Sequence, residues 1–442
     1  MPRLVSSVYC RTVFLSAGFM YLALGAAHAG EEAVLTWQEC VRQAQKNNPS
    51  LIAAEADITV YEAREKSSAS SRLPQVEATA GAATSETETR NASGEVVSSG
   101  ANDNYTYGLS GSQLIFDGGK SGNAVRAARE NVSARQQAYR FVSADVRLNL
   151  RNAFIDMLKA QELVVITQEI FAIRRKNVEL LTLRYYSGLE HRGALLVAEA
   201  EAAEARLGTV QAQRALTVNR QRMLQAMGSS EYLVFRVEGD FSVATRLSDQ
   251  PDFETIISAH PTLRQQIFQK RAAEFQVKST KAEFWPQVTG RANAGRGDEE
   301  WPPAPDEWGA GINVSLPLFE GGSRHALLNE ARALLKQVQA NEQDVRDTLR
   351  ADLEEAWATM QNAVDAVAVQ QKMLAASEER SRIAESQYTS GFITYDNWAI
   401  IENNLVTAKR LFLDVKAVAM RAEAQWIKAK GETLEYASSQ TR

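Results

Sequence analysis

Two stretches of the chain alternate apolar and polar residues with a period of two. In the later one, Val288, Gly290, Ala292 and Ala294 alternate with Gln287, Thr289, Arg291 and Asn293. Trp308, Ala310, Ile312, Val314, Leu316 and Leu318 then alternate with Gly309, Gly311, Asn313, Ser315 and Pro317. In the earlier stretch Val76, Ala78, Ala80 and Ala82 alternate with Gln75, Glu77 and Thr79. Tyr105, Tyr107, Leu109 and Ile115 share a face that Gly111 and Gln113 weaken. Successive side chains of a strand point to opposite faces. Each stretch therefore predicts a β-hairpin with one apolar and one small or polar face, at 75–116 and 287–319, with polar connections at 85–104 and 296–307. Strands of about ten residues with this dyad repeat are the pattern of a transmembrane β-barrel. Trp285, Trp308, Phe116 and Phe319, near the strand ends, favour that over a soluble ribbon packed on helices.

After each hairpin come two glycines and a pattern of another period. Leu349, Leu353, Ala356, Met360, Ala363, Val367, Gln370 and Leu374 fall at alternating spacings of four and three; Val146, Leu150, Ala153, Met157, Ala160, Val164, Thr167 and Phe171 do the same. This is a heptad seam. No proline interrupts 119–250 or 321–442. A helix of about 67 residues is about 100 Å long, too long for a compact core to bury. It must pack in an extended bundle, folding back where Gly188 and Gly391 mark turns. Shorter helices are expected at 37–70 and 253–284, where Asn48-Pro49 and His260-Pro261 set a helix start or kink.

The two patterns are one pattern written twice. Leu73-Pro74-Gln75 recurs as Trp285-Pro286-Gln287, at an offset of about 212. Phe116-Asp117-Gly118-Gly119 recurs as Phe319-Glu320-Gly321-Gly322, and Tyr185-Tyr186-Ser187-Gly188 as Tyr388-Thr389-Ser390-Gly391, at offsets of about 203. A repeat this long is a duplicated half rather than a short-period solenoid. The expected organisation is a leader at 1–29, a first repeat at 30–250 with its tip near 185–193, and a second at 251–442 with its tip near 388–398 and a C-terminal tail.

The leader reads as a secretory signal: Arg3 and Arg11, an apolar run of about 12 residues, and Ala27-His28-Ala29 as the cleavage site. The run is too short for a spanning helix. Loss of both arginines takes the formal charge from −5 to −7. Basic and acidic residues are mixed, with no basic stripe, so no nucleic acid is expected. Cys10 leaves with the leader and Cys40 stands alone, so no internal disulfide forms. His191, His260 and His325 lack metal-ligand spacing. Gly119-Lys120-Ser121 resembles the end of a P-loop, but Leu114 stands where that loop needs glycine. Neither cofactor, metal nor catalytic centre is expected.

Four membrane strands cannot close a barrel, and an open sheet would leave unpaired edges in lipid. The chain must therefore oligomerise, and three copies would supply 12 strands. In this order, twice, these motifs resemble the TolC-like family of outer-membrane efflux and secretion channels, over essentially the whole mature chain. The resemblance implies a fold of α plus transmembrane β: a homotrimer with a 12-stranded barrel in outer-membrane lipid, continued by a long periplasmic α-helical barrel. It also implies an equatorial belt built from 228–250 and the tail. The channel would be the passive exit of a tripartite pump or type I secretion system, working with a periplasmic adaptor protein and an inner-membrane transporter. The hairpin tips, Tyr185, Ser187, Gly188, Tyr388, Ser390 and Gly391, would meet the adaptor and line the periplasmic entrance. Carboxylates six and nine residues past the second tip glycine ring the pore in relatives; here Asn397 and Ile400 stand there, with Asp396 and Glu402 nearby as candidate pore charge. Asp396 reads equally as a helix-capping or first-turn carboxylate, and Glu199 and Glu402 as a solvated face. The Arg–Asp clamp of some relatives is absent, since its positions hold Ile393 and Ala194, so closure would use other contacts, through Tyr388. A trimeric coiled-coil surface protein of adhesin type is the alternative.

Overall fold

The computed structural model describes residues 33–90, 93–94, 96–229, 234–243, 250–304 and 306–439. The expected leader at 1–29 lies outside them. In chain order the elements are β1 (Ala33–Thr36), α1 (Trp37–Asn47), α2 (Pro49–Ser70), β2 (Gln75–Arg90), β3 (Val96–Phe116), α3 (Lys120–Tyr186), α4 (Arg192–Met227) and β4 (Phe235–Glu238). They continue as α5 (Phe253–Ala259), α6 (Pro261–Ala282), β5 (Gln287–Asp298), β6 (Asp306–Ser315), α7 (Ser323–Thr389), α8 (Tyr395–Ala429) and α9 (Leu434–Ser439).

The short helices are each two helices rather than one. Asn48 adopts an extended conformation before Pro49, which has no N–H to continue α1. Its Oδ1 accepts from the Ser50 N–H at 3.0 Å and caps α2. His260 does the same before Pro261: Nδ1 accepts from the Thr262 N–H at 3.2 Å. The proline therefore starts a helix in both halves.

β2, β3, β5 and β6 form one antiparallel sheet in that order. The strands of the first hairpin run well beyond the apolar dyad. Thr84 pairs with Asp103 and Ser85 with Asn102, so most of the stretch expected as connection is ladder, and the turn lies near Gly94. Backbone pairing does not need apolar side chains, and Thr and Ser suit a strand whose faces meet water. In the second hairpin the ladder ends at Arg296↔Asp306, leaving a shorter connection than 296–307. One face carries Val76, Ala78, Leu109, Val288, Ala292, Ala294, Ala310, Ile312 and Val314; the other carries Glu77, Ser110, Ser112, Arg291, Asn293, Asn313 and Ser315. Among the described residues, Trp301 leans on Tyr105 and Tyr107 at one end of the apolar face, and most of the rest is uncovered: Trp308 is 82% exposed and Val76 73%. β2 and β6 each have one unpaired edge.

Both long helices contain 67 residues, about 100 Å at 1.5 Å per residue. The expected seam is where they bury themselves. Leu349, Leu353, Ala356, Met360, Ala363 and Val367 are buried in α7, and Val146, Leu150, Met157, Ala160 and Thr167 in α3. Among the described residues, no helix is long and apolar enough to cross a membrane.

A separate core sits part-way along the bundle. β1 pairs in parallel with β4, and Cys40, Val41, Leu150, Phe154, Met223, Phe235 and Leu434 pack together beneath them. Gln161 binds β4 as a backbone would: its Nε2 donates to the Val237 carbonyl and its Oε1 accepts from the Val237 N–H. α9 is tied in through Glu435, which accepts from Ser143 Oγ at 2.6 Å and Tyr139 Oη at 3.0 Å. Of the stretches expected in a belt, β4 and the tail therefore meet in this one core; residues 230–233 and 244–249 lie outside the described ones.

Candidate functional site at the hairpin tips

Both long helices end in the same backbone device. In α3 the Gly188 N–H donates to the Tyr185 carbonyl and the Leu189 N–H to the Arg184 carbonyl; in α7 Gly391 donates to Tyr388 and Phe392 to Gln387. This is a Schellman motif, and its glycine must be left-handed. Gly188 has φ +71° and Gly391 φ +82°, so the repeated Ser-Gly is fixed first by turn geometry. In both tips the N-cap of the returning helix lies three residues past the glycine. His191 Nδ1 accepts from the Ala194 N–H at 3.1 Å, and Thr394 Oγ1 from Asn397 at 3.4 Å. The cap of α8 is therefore Thr394, and Asp396 is an exposed first-turn carboxylate, favourable beside the positive end of the helix dipole.

The two tips lock together. Leu181, Ala194, Ala198, Ala384, Tyr388, Tyr395, Trp398 and Ala399 form one apolar core between the hairpins. The Tyr388 ring lies flat on Trp398, centroids 4.6 Å apart at 13°, and edge-on to Tyr395. The Arg184 guanidinium covers it at 4.8 Å. Tyr388 Oη donates to Glu190 Oε2 at 3.0 Å, tying the second tip to the first. Burial, and then the bond to Glu190, raises the Tyr388 hydroxyl above its ordinary pKa, so it stays a donor. Ala194 is part of this core and Ile393 packs against it.

The six tip residues therefore differ in availability. Ser187, Gly188, Ser390 and Gly391 are exposed and Tyr185 is half-buried, whereas Tyr388 is 1% exposed. Tyr388 is thus no free contact residue in the protomer, contrary to its expected place on the entrance surface. Continuing the second seam from Leu374 by spacings of three and four reaches Ser377, Ser381, Ala384 and Tyr388. That places the tyrosine in an interior slot. The exposed apolar surface at the tips comes instead from Tyr186, Leu189 and Phe392, at 81%, 67% and 83%.

Glu402 also departs from expectation. It is buried and accepts a hydrogen bond from Ser381 Oγ of α7. It neither lies on a solvated face nor presents charge to open water within the protomer, because Ser381 occupies an interior slot opposite it. Glu199, its counterpart, is exposed.

A polar network was not expected from the sequence. Arg174, on α3, is buried and pairs with Glu201 of α4 at 3.2 Å. Its Nη2 donates to Asn403 Oδ1 of α8 at 2.6 Å. Asn403 Nδ2 donates to Glu201 Oε1 at 3.1 Å, and Tyr395 Oη to Glu201 Oε2 at 3.2 Å. Three helices from both hairpins thus share one satisfied charge pair. Among the described residues, no three His, Cys, Asp or Glu side chains are grouped to hold a metal ion.

A family model described as outer membrane efflux protein matches residues 40–229 and 254–432, one segment in each half. The outer membrane efflux protein BepC of Brucella suis is 22% identical over 281 residues, 62% of this chain and 60% of BepC, so the chain spans somewhat over half of that relative. The probable efflux pump outer membrane protein TtgC of Pseudomonas putida is 23% identical over 407 residues, 89% of this chain and 82% of TtgC. The open-state structure of the MtrE outer membrane channel of Neisseria gonorrhoeae has a similar fold: the TM-score is 0.76 at 17% identity, covering 91% of this chain and 90% of MtrE. A coiled-coil adhesin stalk does not account for a match in both halves, nor for two helical hairpins that each follow a strand pair.

Proposed function

Because the chain belongs to the outer membrane efflux protein family, we propose that three copies of it form the passive exit duct of an export machine. The sheet would close as a 12-stranded barrel in the outer membrane, and the long helices would continue the tube into the periplasm. The observation that carries this reading is the four-stranded sheet with a mostly bare apolar face and two unpaired edges. Such a sheet is stable in lipid only if its edges meet those of other copies. The matching element order of the two halves supports descent from one duplicated unit.

BepC and TtgC are named as efflux proteins. Carried to this chain, that implies a periplasmic adaptor protein and an inner-membrane transporter that supplies the energy. The duct itself performs no catalysis. The exposed tip residues Ser187, Gly188, Ser390 and Gly391, with the half-buried Tyr185 beside them, would receive the adaptor, and Leu189 and Phe392 would be apolar contacts. The Tyr388–Glu190 bond would hold the inner hairpin against the outer one, and must break for the entrance to widen. Asp396, exposed at the start of α8 and present three times, would bias the entrance toward cations.

Planar-bilayer recording tests this. Protein extracted from outer membranes should give discrete current steps without an energy source, and these should be cation-selective at low salt, where screening is least. Asp396→Asn should weaken the selectivity and leave the steps in place. Absence of any steps from correctly inserted protein would reject the duct; unchanged selectivity in Asp396→Asn would reject only its charge role.

A further inference from the structure

We infer that the seam between protomers is a copy of a contact the chain makes with itself: β6 of one protomer pairs antiparallel with β2 of the next, in the register that β3 already keeps with β5. This rests on the three-copy reading above. In the sheet, Phe116 lies opposite Val288, Gly111 opposite Ala292 and Leu109 opposite Ala294. The repeat offsets, about 203 for β3 to β6 and about 212 for β5 to β2, carry these pairs outward. Phe319 then faces the partner's Val76, Val314 the partner's Ala80, and Ile312 the partner's Ala82.

Three observations support the transfer. The first is a knob without its hole. Within the chain, Gly118 turns at φ +65° against Trp285, and a Cβ on Gly118 would stand 2.4 Å from the Trp285 Cβ. Its counterpart Gly321 turns at φ +61° with nothing within 4 Å. The counterpart of Trp285 is Leu73, at the other edge of the sheet and 60% exposed. Each half of the packing motif is present, and each lacks its mate in the same protomer. The second is a hydrogen bond. Ser279 Oγ donates to the Lys120 carbonyl at 2.9 Å. The offsets place Ser67 and Ser323 in these roles, and Ser67 is exposed with a hydroxyl to offer.

The third is phase. Crossing the sheet from Val76 leads to Gly111, Ala292 and Ala310, and the transferred register re-enters β2 at the partner's Thr84. Thr84 is an even number of positions from Val76, so the apolar face stays on the outside around the whole ring. A one-residue slip would turn every apolar side chain of the next protomer toward the lumen. Only two-residue slips compete, and they would leave Gly321 and Leu73 out of register with each other.

Cysteine cross-linking decides between these. Directly opposed residues of an antiparallel pair have Cα atoms about 4.5–5.5 Å apart, within disulfide reach, while diagonal neighbours lie about 7–8 Å apart, at or beyond it. The transferred register sets Ser315 opposite the partner's Thr79, both on the polar face, and Ser315→Cys with Thr79→Cys changes little volume. The pairs Asn313→Cys with Thr79→Cys, and Ser315→Cys with Gly81→Cys, report slips in the two directions. Ser112→Cys with Arg291→Cys, opposed within the chain, is the positive control. All are made in a Cys40→Ala background and oxidised in outer membranes. The expected result is a covalent trimer on denaturing, non-reducing gels for Ser315/Thr79 alone. A particle of trimer mass that links through a slip pair overturns the register and leaves the three-copy reading intact. So does a trimer in which only the internal control links. A monomer in mild detergent removes the three-copy reading itself. Independently, Gly321→Ala should lower the temperature of trimer dissociation more than Gly322→Ala. Both glycines have positive φ, but the counterpart of Gly322, Gly119, has only Asn123 Nδ2 at 3.7 Å beside its missing Cβ. Equal shifts would count against the Gly321–Leu73 contact.

Discussion

Replacing Tyr388 with Phe removes one hydroxyl and nothing else from the joint between the tips. The ring remains flat on Trp398, 4.6 Å between centroids, and the apolar core keeps its volume. What goes is the 3.0 Å bond to Glu190. The Glu190 side chain is 13% exposed, so water replaces the lost donor poorly. A hydrogen bond to a charged group contributes about 1.5–3 kcal/mol. Losing it should shift the balance between joined and parted tips roughly ten- to hundred-fold per protomer. The assay is the open probability of single channels in planar bilayers, comparing Tyr388→Phe and Tyr388→Ala with the unmodified protein. Tyr388→Phe should raise open probability, and Tyr388→Ala, which also removes the stack, should raise it further. If Tyr388→Phe matches the unmodified channel while only Tyr388→Ala differs, ring packing rather than the bond to Glu190 holds the tips.

Arg174→Met should destabilise the protein by about 3–5 kcal/mol in denaturant unfolding, because it leaves Glu201 without its cation in a largely dry site; adding Glu201→Gln should restore much of the loss, and additive losses would show that the pair is not coupled. His260 is buried and its pKa falls to about 4 through desolvation, so the folded state holds it neutral. Its contribution is complete above about 6.5, the ordinary value, and is lost as pH falls toward 4, a loss of about 3 kcal/mol per chain at full effect. His260→Asn keeps a capping side chain and should flatten that part of the thermal stability profile between pH 7 and 4; an unchanged profile would assign the acid sensitivity to other groups. A peptide tag inserted after Gly94, where nothing lies within 4 Å of a Cβ, should be labelled on intact cells. The same tag at Ser98, which pairs with Thr89 in the ladder, should impair insertion. Labelling at Gly94 only after permeabilisation would mean the opposite orientation.

The seams were legible because each interior slot is announced by spacing alone, and Leu349 to Val367 sit where the heptad puts them. The same spacing, carried four steps past Leu374, would have placed Tyr388 inside rather than on the entrance surface. Carried one step past Phe171 it reaches Arg174, a charge in an apolar slot and thus the one local sign of a buried pair. Its partners could not be read, since Glu201 and Asn403 come from other helices and Asn403 lies 229 positions away. The strand ends escape the sequence pattern for a different reason. Alternation reports where a face turns apolar, and backbone pairing between Thr84 and Asp103 continues past that point. Glu402 looked solvated because a lone glutamate usually is; only the position of Ser381 on the facing helix shows otherwise.

The mass of the mature protein in mild detergent, by light scattering or native mass spectrometry, tests the account most directly. Four strands per chain with a mostly bare apolar face and open edges demand closure by copies, and the account predicts a single species of three chains that withstands dilution. A stable, monodisperse single chain would contradict it, because no membrane barrel can close on four strands.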